Sequence, residues 1–364
     1  MMINKSVGRL KACSRQQQGG LALISVLLIF AIVSVLATAM IERQSLDIQR
    51  SGNLQALQQA RAYSSGIEYA VRSGLRLDYD NNAEVDHLLE EWAKAHTYPL
   101  QPGSADIQII DAQSRFNLNS LHKSATNRPA QIQRFKNLLN ELGIDPAIAD
   151  STQKFMDEES MVDNDYLAAE VPYRASYALF KHPSELLLIQ DVDAKIYRKL
   201  IPYITALPVA ATINVNTATN KVLAALSSSW SLSDADAVMG NRGEKGFTKV
   251  DDFWGLTEVK PFTGKANSGD GESGDQNTKE VWDKADFSVN SQYFEVFAKV
   301  TLAERIATIE MLIYRDAQSG EMRTHYRDYS RTEARLPVTN TSNSNAAGNA
   351  SNNNSNTTQG SGGI

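Results

Sequence analysis

LALISVLLIFAIVSVLATAMI, residues Leu21–Ile41, is a run of twenty-one residues without a charge. At about 1.5 Å of rise per residue, a helix of that length crosses a hydrocarbon layer of about 30 Å. Ahead of it stand Lys5, Arg9, Lys11 and Arg15 with no acidic residue, then Gln18-Gly19-Gly20. The positive-inside rule keeps this basic leader in the cytoplasm and exports the rest. From Glu42 to Arg76 there is no proline, and Leu46, Leu54, Leu57, Ala60, Tyr63, Ile67, Val71 and Leu75 recur at helical spacing. Arg43, Asp47, Arg50, Gln58, Arg61, Glu68 and Arg72 take the opposite face. The pattern predicts one helix of about 55 residues, apolar in its first half and amphipathic in its second. Gly52, Gly66 and Gly74 weaken it by about 1 kcal/mol each relative to Ala.

The 364 residues suffice for two or three compact units. A mean hydropathy of −0.34 and a single apolar run of spanning length argue against a polytopic membrane protein. Four of the 36 basic residues lie in the leader, which leaves 32 against 42 acidic residues beyond it, a net charge of −10. An acidic exported body does not suit nucleic acid, which needs a basic patch. The one cysteine, Cys13, lies in the leader, so no disulfide forms within the exported part.

Three readings compete for the N-terminal junction. A secretory signal peptide has a shorter apolar region followed by a small-x-small site, which Ala37, Thr38 and Ala39 imitate. A plain signal anchor needs no glycine ahead of the apolar run. A prepilin-type signal is cut on the cytoplasmic side, and Gly20 followed by Leu21-Ala22-Leu23-Ile24 resembles that site. In that case the mature chain begins at Leu21 and keeps its helix as a spine. Its fifth residue is Ser25, where most pilin-like proteins resemble one another in carrying a glutamate that pairs with the neighbouring subunit's N-terminus. Loss of that acid suits a subunit with no neighbour ahead of it, at the tip of a fibre.

Beyond the spine, Val85–Ala95 reads as a short helix ended by Pro99 and Pro102-Gly103. Ala105–Leu121 alternates as two strands with a hairpin at Asp111-Ala112-Gln113-Ser114. Helices follow at Pro129–Leu142, after Asp145-Pro146, from Pro183-Ser184-Glu185, and at Asp193–Ile204, Lys221–Leu226, Asp234–Gly240 and Asp251–Leu256. Strands return at Phe287–Val289, Tyr293–Thr301, Ala307–Arg315 and Glu321–Tyr329, the last two joined by a turn at Asp316–Gly320. The expected fold is α+β: a long N-terminal helix on an antiparallel sheet formed by Ala105–Leu121 and Phe287–Tyr329, interrupted by a large all-α insertion. The expected divisions are a leader at 1–20, a transmembrane half-helix at 21–41, an amphipathic helix with first strands at 42–121, a helical insertion at 122–286 and C-terminal strands at 287–331. The Asn/Ser/Gly-rich tail, 337–364, has too little apolar content for a core and is expected to be disordered.

The chain resembles the K-type minor pseudopilins of type II secretion systems. The resemblance is carried by GLALI at the processing site and by DAQSRFNLNSL at Asp111–Leu121. VPYR from Val171, SEL from Ser184 and INVNTA from Ile213 add to it, so that it spans Gly20 to about Tyr329. It implies a pilin-like fold and a structural role without catalysis, in a pseudopilus tip complex that initiates or caps assembly and supports export across the outer membrane. It implies processing by a prepilin peptidase between Gly20 and Leu21, methylation of the new N-terminus, and an inner-membrane anchor from Leu21 through Ser25 to Ile41 with a periplasmic body. Implied partners are the I-type and J-type minor pseudopilins, other pseudopilins, the inner-membrane assembly platform and secreted substrates. An alternative is a type IV minor pilin for adhesion or DNA uptake.

Ile213–Phe253 also resembles a helix-hairpin-helix unit, and the insertion reads as two such subunits, about 122–208 and 209–286. The hairpin, Ser227-Ser228-Ser229-Trp230-Ser231, has no glycine, and Lys221, Arg242, Lys245 and Lys249 are offset by nearby acids, so packing is favoured over DNA binding. Asp157, Glu158, Glu159, Asp163, Asn164 and Asp165 crowd oxygen donors as a hard cation requires, without EF-hand spacing. The resemblance implies structural Ca²⁺, with Asp157, Glu159, Asp163 and Asp165 as candidate ligands and Asp270, Glu272 and Asp275 as a weaker set. The five histidines are scattered, and no H-E-x-x-H, G-x-S-x-G or Walker motif occurs, so no catalytic constellation is expected.

Overall fold

The computed structural model describes residues 19–101, 103–264, 280–302 and 305–329. The leader with Cys13, the 270–275 acidic set and the 337–364 tail lie outside the described residues. Helix α1 runs unbroken over Gly19–Asn81, 63 residues, or about 95 Å at helical rise. It needs no stop until the Asn81-Asn82 pair, which favours turns over helix interior. Strands β1 (His96–Leu100) and β2 (Gly103–Asp111) follow, then β3 (Phe116–Asn117). The insertion holds α2 (Arg128–Glu141), α3 (Ala147–Met156), α4 (Asp163–Leu167), α5 (Ala194–Leu200), β4 (Ile204–Thr205), β5 (Ile213–Asn214), α6 (Asn220–Ala224), α7 (Leu232–Asn241) and α8 (Val250–Trp254). The chain closes with β6 (Phe287–Ser288), β7 (Tyr293–Leu302), β8 (Arg305–Arg315) and β9 (Met322–Asp328).

The antiparallel sheet has the order β1-β2-β7-β8-β9, with a bulge between Leu312 and Ile313 where β8 meets β9. The insertion leaves after β2 and returns before β7, two neighbouring strands of that sheet. Contacts divide the chain into two units. The first comprises residues up to Val71 with Tyr98–Ala105 and Val300–Ala307. In it, Tyr63 Oη donates to the Gln101 carbonyl at 3.0 Å, and Gly103, at φ +144°, lies so close to the Thr301 carbonyl that no Cβ fits. The second unit holds the rest of the chain. There the end of α1 grips the β8–β9 turn: Arg72 Nη2 donates to the Met322 carbonyl at 2.7 Å, Arg76 Nη1 to Ser319 at 2.7 Å, and Tyr79 Oη to Ala317 at 3.1 Å.

Within the second unit the insertion has two apolar cores. One gathers Phe135, Leu138 and Leu139 of α2 with Ile148, Phe155, Phe180, Leu186 and Leu200. The other gathers Val215, Leu223, Val238, Phe253, Trp282 and Phe287. Helix starts are capped as their sequence suggests: Asp193 accepts from Ile196 N, Thr219 from Val222 N, and Ser231 forms a reciprocal box with Asp234.

Three local expectations need correction. Val85–Ala95 forms one short 3₁₀ turn, Glu91–Ala93; Asp86 is drawn into long-range bonds with Arg315 and Ser291, and Glu90 turns its side chain back on His87 N and Trp92 Nε1. Pro99 breaks no helix; it sits in β1, an edge strand, where a missing N–H is tolerated. Asp111–Ser114 is no hairpin, since Asp111 caps a 3₁₀ turn with its own side chain. The segments beside it also leave the sheet: β3 pairs in parallel with β4, and β6 with β5.

Candidate functional site

The polar centre of the second unit is built on Arg315, the last residue of β8, 2% exposed. Its Nη2 donates to both oxygens of Asp86 at 2.6 Å and to the Ser291 carbonyl at 2.9 Å, while Nη1 donates to Asp78 at 3.2 Å. The guanidinium lies over the rings of Phe294 and Tyr79, 4.6 and 5.7 Å from their centroids. Glu90 stands nearby, accepting from His87 N at 3.0 Å and Trp92 Nε1 at 2.6 Å. One carboxylate oxygen from each of Asp78, Asp86 and Glu90 lies within 4.8 Å of the others. Burial, reinforced by the neighbouring carboxylates Glu90 and Asp86, pushes Asp78 up to about 7. Burial also raises Asp86 and Glu90 and lowers His87. Three carboxylates thus face one guanidinium, and this buried acidic group could coordinate a metal ion.

A second network radiates from Asp111, 1% exposed. Its carboxylate accepts from Gln113 N at 2.8 Å, Asn214 Nδ2 at 3.1 Å, Thr217 Oγ1 at 2.5 Å and Ser291 Oγ at 2.5 Å. Burial raises its pKa to about 6 against the pull of those donors. Asn214 comes from INVNTA and Asp111 from DAQSRFNLNSL, so the two motifs meet at this carboxylate.

The same motifs share an internal logic. In FNLNSL, Asn117 Oδ1 accepts from Asn119 N at 3.1 Å, and the Asn119 amide both accepts from Phe180 N and donates to Phe180 O, each at 2.8 Å. In INVNTA, Asn214 Oδ1 accepts from Asn216 N at 2.9 Å, and Asn216 closes the same pair of bonds on Phe247, at 2.7 and 3.0 Å. Each motif opens with a two-residue parallel strand pair. The chain therefore uses one polar device twice, apolar-Asn-apolar-Asn, once beside each core. A third joint pairs Arg115 with Glu295 at 2.6 Å and His182 Nε2 with Glu310 at 2.9 Å, tying the insertion to β7 and β8.

Gly20, Leu21, Ser25 and Ile41 all lie in α1, where the helix is long and apolar enough to span a membrane and its apolar window is wholly unburied. The acidic 157–165 stretch is placed otherwise than as a shared cage. Asp157 faces Lys123 and Arg128 at 3.6 and 3.3 Å, Glu159 faces Lys123 at 3.1 Å, and Asp163 accepts from Ala175 N at 3.1 Å. Among the described residues, only Asp78, Asp86 and Glu90 bring three potential ligand atoms so close together. The serine stretch 227–231 is the turn between α6 and α7, with Ser231 capping α7, and Arg242 is buried with Nη2 on the Ala218 carbonyl at 2.6 Å rather than turned to a phosphate. Sequence reasoning missed Arg315 and its three carboxylates; the signal available was charge at Asp78 and Asp86, in a stretch that otherwise reads as helix and turn.

Replacing Arg315 with Met should strand Asp86 as a buried unpaired charge and cost about 3–5 kcal/mol. The double change Arg315→Met with Asp86→Leu should recover most of that, measured by denaturant unfolding of the detergent-solubilised chain. Loss in the double variant as large as in the single one would contradict the ion-pair account. Asp111 makes a separate pH prediction. Its folded pKa, about 6, lies above the ordinary 3.8, so its stabilising contribution is full below about pH 4 and lost as pH rises through about 6. In EDTA, Asp111→Asn should flatten the fall in stability between pH 4 and 7 by on the order of 3 kcal/mol; an unchanged slope would assign the titration elsewhere.

Residues 114–209 and 213–269 match two family models, each described as type II secretion system (T2SS), protein K. The type II secretion system protein K of Pseudomonas aeruginosa is 33% identical over 344 residues, covering 89% of this chain and 97% of that one. That of Aeromonas hydrophila is 29% identical over 260 residues, covering 64% and 78%. A chain from the crystal structure of the GspK-GspI-GspJ complex of enterotoxigenic Escherichia coli superposes with a TM-score of 0.64 at 30% identity, covering 78% of this chain and all of that one. With the long helix, the antiparallel sheet and the helical insertion already in place, these likenesses settle the family: the chain belongs to the type II secretion system protein K family.

Proposed function

We propose that the chain is a minor pseudopilin at the tip of the pseudopilus, where it initiates or caps assembly and supports protein export across the outer membrane. Membership of a structural family makes it a non-catalytic component. The carrying observation is α1: a 63-residue helix whose apolar half buries nothing against its own chain, and which therefore needs lipid or other helices to cover it. The basic leader favours a cytoplasmic N-terminus, an inner-membrane anchor and a periplasmic head. The related chain's presence in a complex with GspI and GspJ supports the I-type and J-type minor pseudopilins as partners. Prepilin peptidase would cut between Gly20 and Leu21, and methylation would follow. The two apolar cores support a division of the insertion near residues 208–209.

We also infer calcium at the carboxylates of Asp78, Asp86 and Glu90, because an oxygen-only donor set with surplus negative charge suits a hard divalent cation. Calcium should raise the unfolding temperature of the EDTA-treated protein, and Asp78→Asn with Glu90→Gln should abolish the gain. If Asp163→Asn abolishes it instead, the ion belongs to the Asp157, Glu159, Asp163 and Asp165 stretch.

The mass of the protein recovered from cells tests the main reading. It should begin at Leu21 with one added methyl group, and Gly20→Glu should leave the leader attached and stop secretion. A mature chain starting beyond Ala39 would overturn the assignment.

A further inference from the structure

His182 ties the insertion to the sheet through a ring whose bonds depend on its charge. Its side chain is 17% exposed, and both ring nitrogens are engaged. Nδ1 lies 3.1 Å from Ser184 N and 2.7 Å from Ser184 Oγ. A backbone N–H can only donate, so Nδ1 accepts there and carries no proton. The neutral ring then holds its proton on Nε2, which donates to Glu310 Oε1 at 2.9 Å. As an acceptor, the ring caps the 3₁₀ helix Pro183–Leu188, and Glu185 completes the box by accepting from His182 N at 2.9 Å.

The surroundings support a second, charged state of the same ring. Glu310 of β8 faces it, with Oε1 also accepting from Tyr326 Oη of β9 at 3.1 Å, and the Tyr326 ring stands edge to face at 5.4 Å. Asp328 lies opposite Glu310 in the β8–β9 register. Glu295 of β7 is close enough to feel both His182 and Glu310, and burial raises it against the pull of Arg115, its partner at 2.6 Å. In the ring's own segment stand Glu185 and the exposed Lys181. Acids thus prevail around the imidazole, and a charged ring would give Glu310 an opposite charge at hydrogen-bond distance. The cost is the cap. With a proton on Nδ1 the ring sets N–H against N–H at Ser184, and Ser184 Oγ is the acceptor left beside it.

We propose that His182 is a proton-operated latch that exchanges two bonds: neutral, it holds the start of the 183–188 turn; protonated, it releases that turn and pairs with Glu310 as an ion. The turn carries Leu187 and Leu188 at the surface, 42% and 43% exposed, so the exchange acts on the outside of the insertion. The test does not depend on the role in secretion.

The detergent-solubilised full chain is compared in EDTA at about pH 8 and about pH 5, either side of the range in which histidine ordinarily changes charge. Hydrogen exchange of the 181–188 peptide is corrected for the intrinsic effect of pH. Protection at the start of the turn should fall by about fivefold on acidification, the factor that corresponds to a helix cap of about 1 kcal/mol. His182→Asn supplies an acceptor that does not titrate, and its protection should stay constant. His182→Gln keeps a donor toward Glu310 without the cap, so its protection should be low at both values. Glu310→Gln should need a proton concentration about threefold or more higher for the same loss, because the charged ring has no carboxylate partner. Nitrogen-15 NMR of histidine-labelled protein, assigned by the signal missing in either His182 variant, should show Nδ1 bare at the higher pH and protonated at the lower. A protonated ring with unchanged protection overturns the proposal. A fall as large in His182→Asn or His182→Gln also overturns it and places the titration on Glu295 or Glu185.

Discussion

A guanidinium sealed among carboxylates is the constraint on which the head depends. Arg315 ends β8, Asp78 ends the spine, Asp86 follows it, and Ser291 marks the return of the insertion. Two regions far apart in sequence, 78–86 and 291–315, thus meet on one side chain. Desolvating an arginine costs several kcal/mol, and Coulomb attraction offsets that only if the geometry is right and the remaining donors are satisfied. Asp86 meets the condition with two 2.6 Å bonds. Apolar packing alone would tolerate small slips of the spine along the sheet; a buried ion pair at this distance tolerates none.

The insertion solves a different problem. It consists of short helices and two-residue strands, so many backbone groups have no partner within a regular element. Asparagine supplies what is missing, because its amide offers a donor and an acceptor to a single backbone residue. Asn119 on Phe180 and Asn216 on Phe247 do this in the same way, one beside each core. Asp111 then joins the second device to the end of β2 through Asn214 and Thr217. Burial raises that acid to about 6, where an asparagine would not titrate, so the joint adds a pH dependence to the network.

How much of this was legible depended on whether the signal was periodic. The spine was legible because apolar residues recur over four dozen positions without a proline. Helices α2, α3, α6 and α7 were legible from caps and spacing, and β7, β8 and β9 from alternation. In the stretch 85–121 only the first expected strand, which became β2, was. Asp86 and Glu90 read as polar positions of a short helix, Asp111 and Gln113 as a turn, and Asn117 as a polar position of a strand, because polar side chains mark surfaces and turns far more often than cores. Only their partners, up to 229 residues away for Asp86, reveal that they are interior. The FNLNSL and INVNTA segments carried the family resemblance, and their identical use of asparagine is visible once the two are aligned with each other. The carboxylate cluster left only a weak local trace, three acids at 78, 86 and 90, since the arginine that gathers them comes from a strand end more than two hundred residues away.

The spine and the head handle polarity in opposite ways, and the contrast bears on position in the fibre. The head buries charges because each finds a fixed partner within the same chain. Leu21–Ile41 has no such partners to offer, and there a charge would be matched only by another subunit. An unpaired carboxylate within a bilayer costs up to about 2.5–3.5 kcal/mol by insertion scales, the figure for the centre of the span. For a subunit with a neighbour ahead, that neighbour's N-terminus offsets the cost. For one at the leading end, the acid at position 25 would remain a standing penalty in both membrane and fibre. Serine removes the penalty and the contact together, since its hydroxyl can bond within its own helix, as Thr38 does to the Ser34 carbonyl at 2.9 Å. On this argument a serine at position 25 suits the tip position proposed above.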